Sequence, residues 1–319
     1  MPKGNVVAGI FLLLVTIILL AFQYFRTLKR GCFRAWGWIG LGIILVAEGL
    51  LLWGSRWVAI FITPLAWTGY LLFIDAVVWS LQGESRLGKT PAHFLALAFW
   101  SVPLWLIFEA YNLRLGNWTY VGLPDSLLVR CVGSVWSFAT IWPAILETAD
   151  FVKALSFFRP QVPRRLRLSP SARLGILLVG LVFVTVPVLV PPSVARYLFG
   201  LVWMGFVLLL DPLNYYAEGR SLLRDLETGS TSTLYSLLMS GLICGILWEF
   251  WNYWAAAQWV YVFPILQAWK IFAMPLPGYV GFPAFALECF VMYESLRTLR
   301  RQLLKVQGGL DWEARDQRG

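Results

Sequence analysis

Nine apolar runs, each about 18–22 residues long, take up most of this 319-residue chain. A helix rising 1.5 Å per residue needs about 20 apolar residues to cross a hydrocarbon layer about 30 Å thick. Lipid offers no partner to a backbone N–H or C=O, so only helices and closed barrels cross it. These runs are continuous rather than alternating, which selects helices over barrel strands. They fall at about 5–24, 36–54, 57–79, 92–111, 128–151, 174–191, 195–212, 233–255 and 277–296. Hydrophobic residues make up 59% of the chain and charged ones 13%, against about 25% charged in soluble proteins. The expected fold class is all-α: a polytopic integral membrane protein with about nine transmembrane helices.

The first run follows Lys3 as in a signal peptide, but it is too long and no small-residue cleavage site follows it, so it reads as a retained span. Tyr261 to Met274 is apolar but short, with prolines on either side. It reads as an interfacial or re-entrant piece, with a tenth span as the alternative.

The formal charge is +9. Its distribution points to membrane topology, not nucleic acid. Arg26, Lys29, Arg30 and Arg34 follow the first run. Lys153, Arg159, Arg164, Arg165, Arg167 and Arg173 follow the fifth, and Arg297, Arg300, Arg301 and Lys305 follow the last. With nine spans all three clusters share a side, together with Arg86 and Lys89 and with Arg220 and Arg224. The positive-inside rule makes that side cytoplasmic, placing the N-terminus outside and the C-terminus inside a cell membrane. Anionic phospholipids are the expected partners of these loops.

Inside the apolar sequence an acidic pattern occurs twice. Phe108-Glu109-Ala110-Tyr111-Asn112, Trp118-Thr119-Tyr120 and Pro143 to Glu147 follow Asp75. Trp248-Glu249-Phe250-Trp251-Asn252, Trp259-Val260-Tyr261 and Pro283 to Glu288 follow Asp211. The order and spacing imply a parallel internal duplication of a four-helix unit. The expected organisation is an extra helix and basic loop at 1–35, a first repeat at 36–151, and a basic linker at 152–173. A second repeat at 174–296 and a basic, then disordered, tail at 297–319 complete it.

Carboxylates in hydrocarbon are expensive and mark function by default. Glu249, Glu288, Glu109, Glu147, Asp211 and Asp75 are the catalytic candidates. Glu109 with Asn112, and Glu249 with Asn252, sit three apart and so share a helix face. Glu147 and Glu288 each follow a proline, which frees a carbonyl and bends a span toward a cavity. Asp75 and Asp211 lie near span ends and read equally well as caps. Arg114 is a possible partner of Glu109, and Asp150 of Lys153. Asn252, Asn112, Trp248, Trp251, Trp259, Tyr261, Trp118, Tyr120 and Tyr111 are the substrate-binding candidates, their rings suited to a cationic intermediate. Each aromatic loop is placed to fold back as a lid.

One His and four scattered Cys provide no haem pair, multi-His zinc centre or redox pair. No cofactor is expected, a divalent cation on Glu and Asn oxygens being the exception these residue types allow. Opposed acids, one neutral and one charged, suit protonation of a carbon–carbon double bond followed by proton loss. Basic residues are scarce within the spans, so a headless apolar substrate is favoured over a phosphate-bearing one.

Through Trp248-Glu249-Phe250, which is similar to the Trp-Glu steps of the polytopic terpene cyclases, the arrangement resembles that group and the membrane lycopene cyclases. The resemblance covers a few residues and implies an all-helical fold and redox-neutral cyclisation of a long isoprenoid by membrane-buried acids. The Pro-x-Glu-Glu pattern of the lycopene cyclases is replaced here by Pro143-Ala144-Ile145-Leu146-Glu147 and by Pro283 to Glu288, which turns the reading away from carotenoids. The expected function is thus a membrane-embedded acid/base cyclase or isomerase acting on an isoprenoid or other lipid. The alternatives are a transporter or channel using the same carboxylates, and a structural membrane protein.

Overall fold

A computed structural model describes residues 4–28, 31–155 and 165–316, with side chains described through Leu304. Lys3, Lys29, Arg30, Arg159 and Arg164 of the basic segments lie outside the described residues, as does the 156–164 part of the 152–173 linker. In chain order the first five helices are α1 (Val6–Thr27), α2 (Ala35–Leu52), α3 (Arg56–Gln82), α4 (Arg86–Lys89) and α5 (Pro91–Leu115). Strand β1 (Trp118–Val121) precedes α6 (Leu127–Ala139), α7 (Ile141–Ala154), α8 (Pro170–Leu189), α9 (Pro192–Ala195) and α10 (Phe199–Tyr216). Then come α11 (Leu222–Thr228), α12 (Ser232–Trp254), β2 (Gln258–Tyr261), β3 (Lys270–Ile271), β4 (Met274–Pro275) and α13 (Leu276–Asp316).

Among the described residues nine helical stretches are long and apolar enough to cross a membrane, α6 and α7 forming one of them. The protein is an all-α, multi-pass membrane protein. The stretch Tyr261 to Met274 contains no helix. It leaves β2, forms the two-residue hairpin β3–β4 and enters α13 at Leu276. The helix of α13 runs on to Asp316, through the tail that composition assigns to disorder.

The fifth span is broken at Thr140, which stands between α6 and α7 and whose hydroxyl folds back onto the Ser137 carbonyl at 2.7 Å. Pro143 then sits in the first turn of α7, where a missing N–H removes no helical bond. Pro283, in contrast, lies inside α13.

Helix pairs approach at glycines. A β-carbon on Gly40 of α2 would lie 2.4 Å from the Gly69 carbonyl oxygen of α3, and one on Gly180 of α8 would lie 2.3 Å from the Leu209 nitrogen of α10. Without a hydrophobic drive between helices in lipid, such small-residue seams and the dispersion contacts they permit are what hold spans together. The centre is filled by fully buried Trp67, Phe108 and Trp142. The Trp142 indole donates to the Cys289 carbonyl at 2.8 Å, tying α7 to α13.

The two aromatic triplets meet. β1 and β2 pair antiparallel, with Trp118 opposite Tyr261 and Tyr120 opposite Trp259. At the other end of the spans Arg86, Asp150, Lys153, Arg220 and Glu294 surround one small pocket, so the α3–α5, α7, α10–α12 and α13 ends share a side.

The glycine seam gives a controlled prediction. Gly40→Val should lower the stability of the purified protein by about 1–3 kcal/mol through overpacking. Gly42→Val, where a β-carbon meets nothing within 4 Å, should leave thermal unfolding in detergent nearly unchanged.

Candidate functional site

The acidic pattern resolves into three kinds of environment. Asp75 and Asp211 cap short helices. Asp75 accepts from the Ser85 hydroxyl at 2.7 Å, the Leu87 N–H at 2.9 Å and the Trp36 indole at 3.0 Å. Asp211 accepts from the Ser221 hydroxyl at 3.0 Å and from the Leu222 and Leu223 N–H groups at 2.7 and 2.8 Å. Ser85 and Ser221 are themselves the N-caps of α4 and α11. A buried carboxylate given several donors this way is a structural anchor.

Glu109 and Glu249 stand behind the paired strands. Glu109 Oε1 accepts from the Tyr120 hydroxyl at 2.5 Å, the Trp105 indole at 2.8 Å and the Trp118 indole at 3.3 Å. Glu249 Oε1 accepts from the Tyr261 hydroxyl at 2.9 Å, and that hydroxyl accepts from the Trp259 indole at 2.7 Å. The second Glu249 oxygen has no hydrogen-bond partner among the described residues. Burial and the adjacent glutamate push the Tyr120 and Tyr261 phenols well above the ordinary tyrosine value. Both therefore stay protonated and donate at any physiological pH. Lys270, on β3, is the basic group whose field reaches Glu249; desolvation lowers its pKa and Glu249 partly restores it.

One turn later on the same helix faces, the two asparagines hold the strands. Asn112 donates to the Trp118 carbonyl at 2.9 Å and accepts from the Trp118 and Asn117 N–H groups at 3.1 and 2.8 Å. Asn252 donates to the Trp259 carbonyl at 2.9 Å and accepts from its N–H at 3.0 Å. Both amides are thus committed to backbone. They position the aromatic strands. Among the described residues there is no group of three or more His, Cys, Asp or Glu side chains placed to hold a metal ion.

Glu147 and Glu288 form the third kind. Both are completely buried and neither oxygen of either has a hydrogen-bond partner among the described residues. Arg86 lies 3.8 Å from Glu147 and 2.7 Å from Asp150. Asp150 thus pairs with Arg86, not with its neighbour Lys153. Arg114 donates to the Val190 carbonyl at 2.8 Å and leaves Glu109 to the aromatic donors.

Beneath the strand pair lies a cavity of about 350 Å³. Residues two apart on a strand face the same way, so Trp118 and Tyr120 from β1, and Trp259 and Tyr261 from β2, all line it. Trp248 joins them, as do Trp67, Trp105, Phe108 and Phe285 from the spans. The structure therefore gathers five of the aromatic candidates at one site. Tyr111 and Trp251 do not line it: Tyr111 donates to the Val184 carbonyl at 2.7 Å, and Trp251 donates to Glu48 at 3.1 Å while packing on Trp67. Glu147, Glu288, Asp75 and Asp211 also do not line it. Glu109 and Glu249 do not line it either; Glu109 reaches it through Tyr120, Trp105 and Trp118, and Glu249 through Tyr261.

Trp105 was legible, being one helical turn before Glu109. Thr63, Trp67, Arg130 and Arg196 carry no local signal; only the packing of α3, α6 and the α9–α10 turn brings them to the cavity.

No protein-family model, curated protein or solved structure matches the chain.

If Asn252 holds β2, Asn252→Ala should cost about 1–3 kcal/mol of stability, the range for leaving buried backbone groups unpaired. Hydrogen exchange should then rise first at Trp259 rather than within α12.

Proposed function

We propose that this cavity binds an apolar chain of isoprenoid or other lipid character and that the two tyrosine–glutamate pairs move protons on it. One observation carries the reading. Tyr120 and Tyr261 both line one aromatic cavity, and each phenol is hydrogen-bonded to a glutamate held behind it. A phenol backed by a carboxylate can relay a proton: the tyrosine gives its proton toward the ligand while the glutamate supplies or takes one behind it. Two such relays allow one to deliver and the other to collect, as isomerisation or cyclisation of a double bond requires. The surrounding ring faces suit a cationic intermediate. This supports a redox-neutral cyclase or isomerase of the kind implied by the resemblance to the polytopic terpene cyclases. Glu109 and Glu249 are its acid/base residues, with Asp75 and Asp211 as anchors.

The same observations support an internal duplication. Asp75 and Asp211 each take a serine hydroxyl ten residues on and the N–H groups that follow it. Asn112 and Asn252 each clamp the backbone of the first Trp in their own triplet. Gly69 and Gly205, at the same distance before each Asp, both sit in tight helix seams. Antiparallel pairing of β1 with β2 is what a two-fold axis along the membrane normal would produce. In this arrangement the pocket bearing Arg86, Lys153 and Arg220 faces the cytoplasm and the aromatic cavity faces the opposite leaflet.

Transport is the second reading, and Glu147 favours it. It is buried, lacks a hydrogen-bond partner among the described residues, and lies 3.8 Å from Arg86 beside the pocket on the other side. A carrier would need that acid to exchange ions with both faces.

Mass spectrometry of lipids co-purified with the protein should show an isoprenoid enriched over its share of the membrane; a profile matching bulk phospholipid counts against the enzyme. With the enriched lipid as substrate, Glu249→Gln should lower conversion by about 10²-fold or more, the usual weight of a general acid–base group, while elution and helical content stay unchanged. Full turnover in that variant would remove Glu249 from the mechanism. Loss of ion flux in Glu147→Gln, with no lipid conversion by the unaltered protein, would favour transport instead.

A further inference from the structure

The cavity wall carries a charge pattern that proton relay does not use. Glu109 and Glu249 lie behind their tyrosines, and the formally charged side chains that do line the cavity are both cationic: Arg130 and Arg196. Arg130 is in the first turn of α6 and Arg196 is in the turn between α9 and α10. Both are therefore at the β1–β2 end of the spans, and both are exposed. Neither takes part in an ion pair among the described residues. The Arg130 guanidinium spends Nε and one terminal nitrogen on the Pro124 carbonyl, at 3.3 and 3.1 Å. An arginine has five N–H donors, so a face remains for a further acceptor.

A second, independent observation points to a ligand with polar atoms. Thr63 Oγ1, the Trp67 indole N–H and Asn117 Oδ1 are buried, belong to residues of the same wall, and have no hydrogen-bond partner among the described residues. Asn117 is fixed by donating its amide to the Arg196 carbonyl at 2.8 Å, which couples this group to the arginine turn.

We propose that the natural occupant is a single-chain amphiphile with an anionic head: the head sits between Arg130 and Arg196, and the chain lies among the tryptophans. The proposal rests on the reading of the cavity as a site for an apolar chain. It replaces the headless substrate favoured by the scarcity of basic residues within the spans, because these two arginines come from the span ends. Charge complementarity carries it: an aromatic wall whose formal charges are two guanidiniums attracts an anion. Arginine forks match phosphate or carboxylate oxygens in pairs. The volume of about 350 Å³ lies at the low end of the range for drug-sized ligands, about 300–1,000 Å³, which suits one chain rather than two.

The test uses the full chain in nanodiscs of zwitterionic phosphatidylcholine, following tryptophan emission as dodecyl phosphate, dodecanol or inorganic phosphate is added. Dodecyl phosphate should bind at least about tenfold more tightly than dodecanol, equivalent to about 1.4 kcal/mol. Inorganic phosphate should give no saturable change. Arg130→Gln combined with Arg196→Gln should bring dodecyl phosphate down to the affinity of dodecanol, and Arg130→Lys with Arg196→Lys should keep most of the preference. Equal affinity for the phosphate and the alcohol in the unaltered protein would overturn the anionic head while leaving the apolar-chain reading in place. Saturable binding of inorganic phosphate as tight as that of dodecyl phosphate would make this a free-anion site and overturn the amphiphile. No saturable response to either amphiphile would overturn the reading of the cavity itself.

Discussion

A carboxylate placed among apolar spans is held most cheaply when the chain itself supplies its hydrogen-bond donors. Lipid supplies none, and an unsatisfied buried carboxylate is costly. Much of the architecture follows from how the acids are answered. Asp75 and Asp211 recruit serine caps and backbone N–H groups, and so fix the tight returns after α3 and α10. Glu109 and Glu249 recruit indoles and phenols from the strands, and so hold β1 and β2 over the helices. The aromatic loops are ordered because they are the donors these acids need.

The site and the scaffold are built from the same bonds. Asn112 and Asn252 fix the backbone of each triplet, the antiparallel register sets the four strand rings beside one another, and the glutamates lock the phenols. Each phenol is thus held against its glutamate by the contacts that hold the strands, the preorganisation that the proposed proton relay requires. Glu147 and Glu288 stand apart from that economy. They are buried without donors, in helices α7 and α13 that meet where Trp142 bonds to the Cys289 carbonyl. Their placement keeps them out of the aromatic cavity, although both follow the prolines whose positions marked them as cavity residues.

Particular residues show where sequence reasoning reached and where it stopped. The Glu–Asn spacing of three placed each pair on one face, yet did not reveal that the amide would clasp backbone rather than ligand. That outcome depends on a strand returning to the helix end. Arg114 and Lys153 were the nearest cations in sequence to Glu109 and Asp150, but Glu109 takes aromatic donors and Asp150 takes Arg86. Proximity along the chain is a poor guide once helices about 10 Å across bring distant turns together.

The sequence by itself determined that the chain is helical and multi-pass, where the nine candidate spans among the described residues lie, and which acids and rings recur. Those properties follow from segment length, hydropathy and spacing, which act locally along a single helix. Tertiary structure alone decided that Trp118-Thr119-Tyr120 and Trp259-Val260-Tyr261 pair with each other. It also decided that four of the six acids stay away from the cavity and that Arg130 and Arg196 belong to its wall. Each of those facts depends on which helix faces which. In lipid that choice is made by close packing at glycine seams and by the search of buried polar groups for partners, and neither can be read from one segment at a time.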